Sequence, residues 1–473
     1  MGILPAEITQ RIIHLLVFDW VQLIPGTIPV ARLTQDAGRY AAVSRAWQDV
    51  VERETFADLR LDLGRLARLG DIANPRRRGY VRTIRLDAVL PRAGSLGKPE
   101  SHGEALRNDA ALQATFEAFL QTLGQWPAAE MHPAGVALSV DAWAPVDLGG
   151  GVFGPEYRDR WAEARRRRHE DSALELTDPE SIWRQPQVEG VVSLKSSARS
   201  GKRRIAAAAM CSLLARLPAA RTVSFEWWHD QEDDRMRSEF HDALSQVAHP
   251  MDSLRIIGAF NNPVNRLRAA DAPPETDALS QTIRAVSQRL KSCSLYHVAV
   301  SEEIFFPLCL DVKDGAPHWQ RLEGFYLNFP PATPCGQLLF EAEPVATGSD
   351  DEDAASSTSS VDSDSRHQRQ RLKPGKATAK VQRFHLAAAR AALEMPLLKN
   401  MVLTADLSLV GGDSLEDWHA FSYMAKGPRP TAVWTSSSGF VPEDDVLTCW
   451  REVSTRHAGA ELEVKIVCDV DAV

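Results

Sequence analysis

Apolar positions at the start of the chain recur at helical spacing. After Leu4-Pro5-Ala6-Glu7 they fall at Ile8, Ile12, Leu15 and Leu16, with Pro5 suited to a first helical turn. A loop holding Pro25, Gly26 and Pro29 follows. A second helical pattern then runs through Tyr40, Val43, Trp47, Val50 and Val51, with Ser44-Arg45 on its polar side. The stretch before about Val51 is therefore predicted to be two or three short helices. Phe56, Leu59, Leu61 and Leu63 alternate as a strand does.

From there one unit returns in loose form: an amphipathic helix, a short loop usually holding Pro, then a brief hydrophobic strand. The clearest copies are Ala206 to Leu217, Pro218 and Thr222 to Trp227, and Leu386 to Leu393, Pro396 and Lys399 to Leu403. Weaker copies end in the strands Val136 to Val140, Leu254 to Ile257, Leu295 to Val300 and Leu462 to Val467. Such units cannot bury their apolar faces alone. The expected fold is α/β: N-terminal helices, then an irregular leucine-rich-repeat-like solenoid, a parallel sheet with helices on the outer face. A generic α/β domain is the plainer alternative.

Two stretches break the pattern. Residues 149–204 read as a charged insertion with a partly helical, solvated middle, carrying Arg165 to Arg168 and ending at Lys202-Arg203-Arg204. Residues 346–380 are Ser, Asp and Glu first and basic later, with too little apolar surface to offset chain entropy, and read as disordered. The domain reading is a docking module at 1–57, a recognition domain at 58–340, the disordered segment at 346–380 and the rest of the recognition domain at 381–473.

With 473 residues, 44% of them hydrophobic, the chain can bury a large interior. Its formal net charge of −9 disfavours nucleic acid and anionic membrane. The six cysteines lack any CxxC pair, which fits free thiols in a reducing compartment. No signal peptide and no run near the roughly 20 apolar residues of a membrane span is visible. The expected location is cytoplasm or nucleus.

Leu4-Pro5-x-Glu7-Ile8, followed at a distance by Val43-Ser44-Arg45-x-Trp47, is similar to the F-box. The continuation through Glu52 to Phe56, Leu59 to Leu61 and Arg76 to Arg82 resembles the start of filamentous-fungal F-box proteins. The segment with Ala388 to Ala392, Met395-Pro396, Phe421 to Tyr423, Val433-Trp434 and Trp450 looks like the uncharacterised C-terminal domain of those proteins. The resemblance implies docking on the Skp-type adaptor of an SCF ubiquitin ligase through Leu4, Pro5, Ile8, Ile12, Val43 and Trp47. It departs from the family at residues 24–38, where a loop replaces the central leucine-rich part. The same residues read physically as either a docking surface or a cap on the repeat array. A strand hairpin in this stretch would sink the F-box assignment.

Other constellations are weaker. Gly149-Gly150-Gly151-x-x-Gly154 has no phosphate-binding frame, His229 and His457 have no metal-ligand spacing, and no G-x-S-x-G elbow is present. The expectation is no catalytic residue, no metal and no cofactor. Trp227 and Trp228, at a strand end, are candidate anchors for an unknown protein target, or core. Ser349 precedes Asp350-Asp351-Glu352-Asp353 and suits acid-directed phosphorylation. The arginine runs are nuclear-import signals, a patch for an acidic partner, or plain solvated helical faces. The functional expectation is a substrate receptor of a ubiquitin ligase; the alternatives are an enzyme on an α/β scaffold and a scaffold protein independent of any ligase.

Overall fold

The computed structural model describes residues 8, 11, 12, 16, 18–21, 30–33, 37–91, 100–145, 173–196, 202–227, 234–258, 276–306, 317–344, 372–407, 418–427 and 429–467. They form a mixed α/β protein whose strands are mostly parallel. Two compact units emerge: Met1–Phe225 with Val247–His249, and Glu226–Gln246 with Pro250–Val473.

In the first unit, Ile8, Arg11, Ile12 and Leu16 are helical, as their spacing predicts. The next stretch is not helix and loop alone. Strand β1 (Phe18–Val21) pairs antiparallel with β2 (Val30–Leu33). Each strand is apolar but for one charged residue, and those two, Asp19 and Arg32, are register partners, so short apolar runs pair across the Pro/Gly segment between them. This hairpin corrects the expectation of helices only, and it is the arrangement that the F-box assignment excludes.

The helix Arg45–Thr55 starts later than its apolar pattern does, because Ser44 is its N-cap: the hydroxyl accepts from the Trp47 amide at 3.3 Å. Val43 therefore lies in the bend before the helix and not within it. The helix seats Val51 in a small core with Tyr40, Ala41, Trp47 and Val50. Glu52 then accepts from Arg77 at 2.6 Å and from Arg76, which ties the helix to the turn Pro75–Arg78. The Arg77 hydrogen bond leads the causes that lower the Glu52 carboxyl to about 2.

The body of this unit is a run of parallel neighbours in sequence order: β3 (Asp58–Leu61), β4 (Thr83–Val89), β5 (Val136–Trp143), β6 (Val191–Ser196) and β7 (Thr222–Trp227). Ile84, Leu86, Leu138, Val140, Leu194, Val223 and Phe225 are buried, as are Phe116, Phe119, Leu120 and Leu123 of the helix His102–Leu123. Each side chain so buried contributes about 1.5–3 kcal/mol. A Ser101/Glu104 capping box opens that helix.

Strand β6 corrects the reading of residues 149–204 as one solvated insertion. Val191 and Leu194 are core, in a strand placed between β5 and β7. The end of the basic run is equally structural: Arg203 binds Glu100 bidentately at 3.0 and 2.7 Å, both side chains nearly solvent-free. Arg203 is thus withdrawn from any exposed import signal, while Arg165 to Arg168 lie outside the described residues.

In the second unit β8 (Ser253–Gly258), β9 (Ser292–Tyr296), β10 (Gly324–Phe329) and β13 (Asn400–Asp406) are parallel neighbours. Then β14 (Trp418–Met424) runs antiparallel to both β13 and β15 (Thr431–Ser436), and β16 (Glu463–Val467) is parallel to β15. The antiparallel turn at β14 departs from the all-parallel expectation. Between β10 and β13 in sequence, β11 (Phe340–Pro344) pairs antiparallel with β12 (Leu372–Ala377). The disordered reading of 346–380 is corrected over residues 372–380. A charged strand forms there because its main chain pairs with β11 whatever its side chains carry.

One sheet face is sealed by helices. Phe384, from the helix Ala379–Leu393, meets Phe329 and Phe305 at ring distances of 5.0 and 5.3 Å. Trp450, from Asp444–Ala458, meets Phe421 at 4.7 Å and Tyr423 at 5.0 Å. Trp319, fully buried, donates its indole N–H to Ser287 at 2.8 Å.

Candidate functional site

In β9, β10, β14 and β15 burial alternates with the pleat. The helix-covered face takes Cys293, Leu295, Phe325, Leu327, Met401, Leu403, Phe421 and Trp434, all buried. The intervening residues form a second face that keeps partial contact with solvent.

Register aligns that open face into rows. One row is Arg255, Ser294, Tyr326, Val402, Ser422, Val433 and Lys465. The next is Ile257, Tyr296, Asn328, Thr404, Ala420, Thr435 and Val467. The rows are held by side chains. Asn328 donates to Thr404 at 2.9 Å and accepts from the His297 amide at 3.3 Å, and the Arg255 guanidinium lies 4.8 Å from the Tyr296 ring centre. Gly258 is required where β8 approaches this turn, since a Cβ there would meet the His297 carbonyl oxygen at 2.2 Å. Mixed small, hydroxyl, aromatic and amide groups on a fixed sheet suit recognition of a protein surface.

The edge of this face where the parallel strands begin carries charge. Main-chain bonds link Lys291 to Asp252 at 2.8 Å, Glu323 to Lys291 at 2.8 Å, Lys399 to Glu323 at 2.7 Å and Ala425 to Lys399 at 2.9 Å. Opposite charges therefore stand on successive chain segments. Lys399 is paired with Glu323, and Asp252 receives Arg321 at 2.7 Å and Lys291 at 3.5 Å. Beside them lies a basin of about 400 Å³.

Of the residues assigned to docking, Ile8, Ile12 and Val43 are exposed at 48%, 36% and 61%. Trp47 is half-buried, 6.2 Å from the Tyr40 ring and packed on the Val51 core, so it is at least partly structural. Leu4, Pro5, Trp228 and Ser349 lie outside the described residues, and Trp227 closes β7. The basin and the open rows were not singled out in the sequence, although the period-two polar positions at Ser294, Tyr326 and Asn328 carried the signal.

Two thiols lie in the core. Burial raises the thiols of Cys211 and Cys293, the latter to about 12. Among the described residues no group of three or more His, Cys, Asp or Glu is placed to hold a metal ion. No described helix is long and apolar enough to cross a membrane.

Residues 368–470, about a fifth of the chain, match a family of unknown function (DUF6546). That stretch runs from just before β12 to just past β16. No curated protein matches the chain.

Proposed function

We propose that this chain is a non-enzymatic protein-interaction receptor whose open sheet face binds a protein target and whose N-terminal residues dock on a Skp-type adaptor of an SCF ubiquitin ligase. In this reading the successive helix–strand units are stacked as a leucine-rich-repeat-like solenoid, and the protein works in cytoplasm or nucleus. The observation that carries it is the asymmetry of the second unit's sheet: helices seal one face, while the other presents aligned, partly solvated side chains. The adaptor half of the proposal stands on the exposed Ile8, Ile12 and Val43. Single exposed apolar residues are ordinary, but Ile8, Ile12 and Leu16 recur every four residues at helical positions and are all exposed, a stripe that favours a partner. The β1–β2 hairpin is not part of an F-box, so this half rests on those exposed residues and not on an F-box fold.

The test is affinity purification of the tagged chain with mass spectrometry, in two variants. Ile8→Asp with Ile12→Asp places charge in the docking contact and is expected to remove the adaptor while leaving the target. Val402→Arg with Ser422→Arg is expected to remove the target and leave the adaptor. A wild-type chain that captures no adaptor reduces the protein to a scaffold independent of the ligase. Unchanged target capture by the second variant overturns the open-face reading.

A further inference from the structure

We infer that the basin beside the Lys291–Glu323–Lys399 edge seats an acidic segment of the target, bound extended with successive carboxylates on Lys291, Lys399 and Lys426. The inference rests on the receptor reading above and names the chemistry of its ligand.

The charge count comes first. Asp252 and Glu323 stand against Lys291, Arg321, Lys399 and Lys426, so the basin keeps a local cationic surplus on a chain whose formal net charge is −9. The lysines converge on one carboxylate: Glu323 is held below its usual range first by the Lys399 hydrogen bond and charge, then with help from Lys291 and Lys426. The heads are also available, since Lys291 and Lys399 are about half exposed and Lys426 is exposed.

Neutral donors face the same space. Asn400 donates its amide to the Tyr326 phenol oxygen, which leaves the phenol hydrogen free to donate to a ligand. Gly324 keeps the floor open, because a Cβ there would meet the Asn400 side-chain oxygen at 2.8 Å.

Spacing selects the occupant. Lys291 and Lys399 precede β9 and β13, which flank β10, so their backbones stand about 10 Å apart at two strand spacings. Lys426 follows β14, one strand further on. Carboxylates two to four residues apart on an extended peptide span roughly 7–13 Å. A lone phosphate is too small to engage all three cations.

The experiment uses the full chain and a fluorescein-labelled Gly-Ser peptide carrying an aspartate run, read by anisotropy, beside the same peptide with asparagine. The aspartate peptide is expected to bind at least about tenfold more tightly. Lys426→Glu should weaken it by about tenfold, whereas Glu323→Gln, which releases Lys399, should tighten it. Arg451→Glu and Glu452→Gln, the same charge changes at exposed positions of the helix Asp444–Ala458, should leave binding unchanged. Equal binding of both peptides, equal effects of the distant variants, or full displacement by inorganic phosphate at matched ionic strength overturns the inference. If the aspartate peptide fails while Val402→Arg with Ser422→Arg still abolishes target capture, the basin is wrong and the receptor reading stands. If target capture also survives that change, both fall.

Discussion

The Nε2 atoms of His385 and His419 lie 2.9 Å apart, with both rings fully buried. Only one of them can donate in the neutral state. Among the described residues the Nδ1 of His385 has no hydrogen-bond partner, while that of His419 lies 3.1 Å from the Ser436 hydroxyl. The arrangement that orphans no N–H has His385 Nε2–H donating to His419 and His419 Nδ1–H donating to Ser436. Phe440 packs 5.0 Å from each ring and Phe421 lies 5.6 Å from His385, so apolar rings surround the pair and disfavour a charge on it.

Acid should therefore loosen the second unit. Burial, with the charge of His419 adding to it, lowers His385 well below its ordinary value, and burial lowers His419 to about 4. An unfolded histidine titrates near 6.5, so below that pH the unfolded chain binds protons that the folded chain refuses. Stability falls as pH drops from about 6.5 towards 4, by up to about 1.4 kcal/mol per pH unit for each ring, and is insensitive to these groups above 6.5. Urea midpoints between pH 7.5 and 5 check this. His385→Phe should flatten the slope, and an unchanged slope would remove the pair as its source.

In the first unit, Arg203→Ala removes the bidentate cationic partner of the buried Glu100 carboxylate and should cost about 3–5 kcal/mol. Replacing both partners together, Arg203→Met with Glu100→Leu, should cost less, since no unpaired charge remains. Denaturant midpoints of the single and double variants decide it. A mild effect of the single change would mean that the pair is solvated.

The two sheet faces should respond oppositely to substitution. Phe384→Ala opens a cavity among Phe305, Phe325 and Phe329 and should cost about 3–5 kcal/mol. Val433→Thr, on the open face, should stay within about 0.5 kcal/mol. Thermal midpoints of both variants are the measurement, and a large loss at Val433 would show that the face is covered.

Much of this was legible in the sequence where one period dominates. The helices carrying Leu213 or Phe384 and the strands around Leu295 or Leu403 show clear 3.6 or 2.0 repeats, and they formed. Ser44 illustrates what a period misses: a side chain that bonds the backbone ends a helical pattern before Val43 joins it. Val191 to Leu194 was hidden by charged neighbours, since a short strand buried between two others needs few apolar residues of its own. The basin was not legible, because Lys291, Glu323, Lys399 and Lys426 are far apart in sequence and meet only through strand order.

The β11–β12 pair sets the limits of a safe excision. Pro344 and Leu372 are register partners, so the ends of residues 346–371 are already brought together by a ladder outside them. Loop-closure entropy changes by only about 0.6 kcal/mol per doubling of length. Replacing 346–371 with a short Gly/Ser linker should therefore stabilise the unit by about 1 kcal/mol and leave hydrogen exchange in β10 and β13 unchanged. Extending the deletion to Lys380 should behave differently. It removes β12, the Thr378 amide and hydroxyl bonds to the Leu339 carbonyl at 3.0 and 2.8 Å, and the first turn of the helix that seats Val381 and Phe384. Phe340, 2% exposed, would lose its ladder partner Ala377, and a loss of several kcal/mol with faster exchange around Phe384 is expected. Equal tolerance of the two deletions would show that β12 adds nothing to the unit, and unfolding by the shorter one would place residues 346–371 within its core.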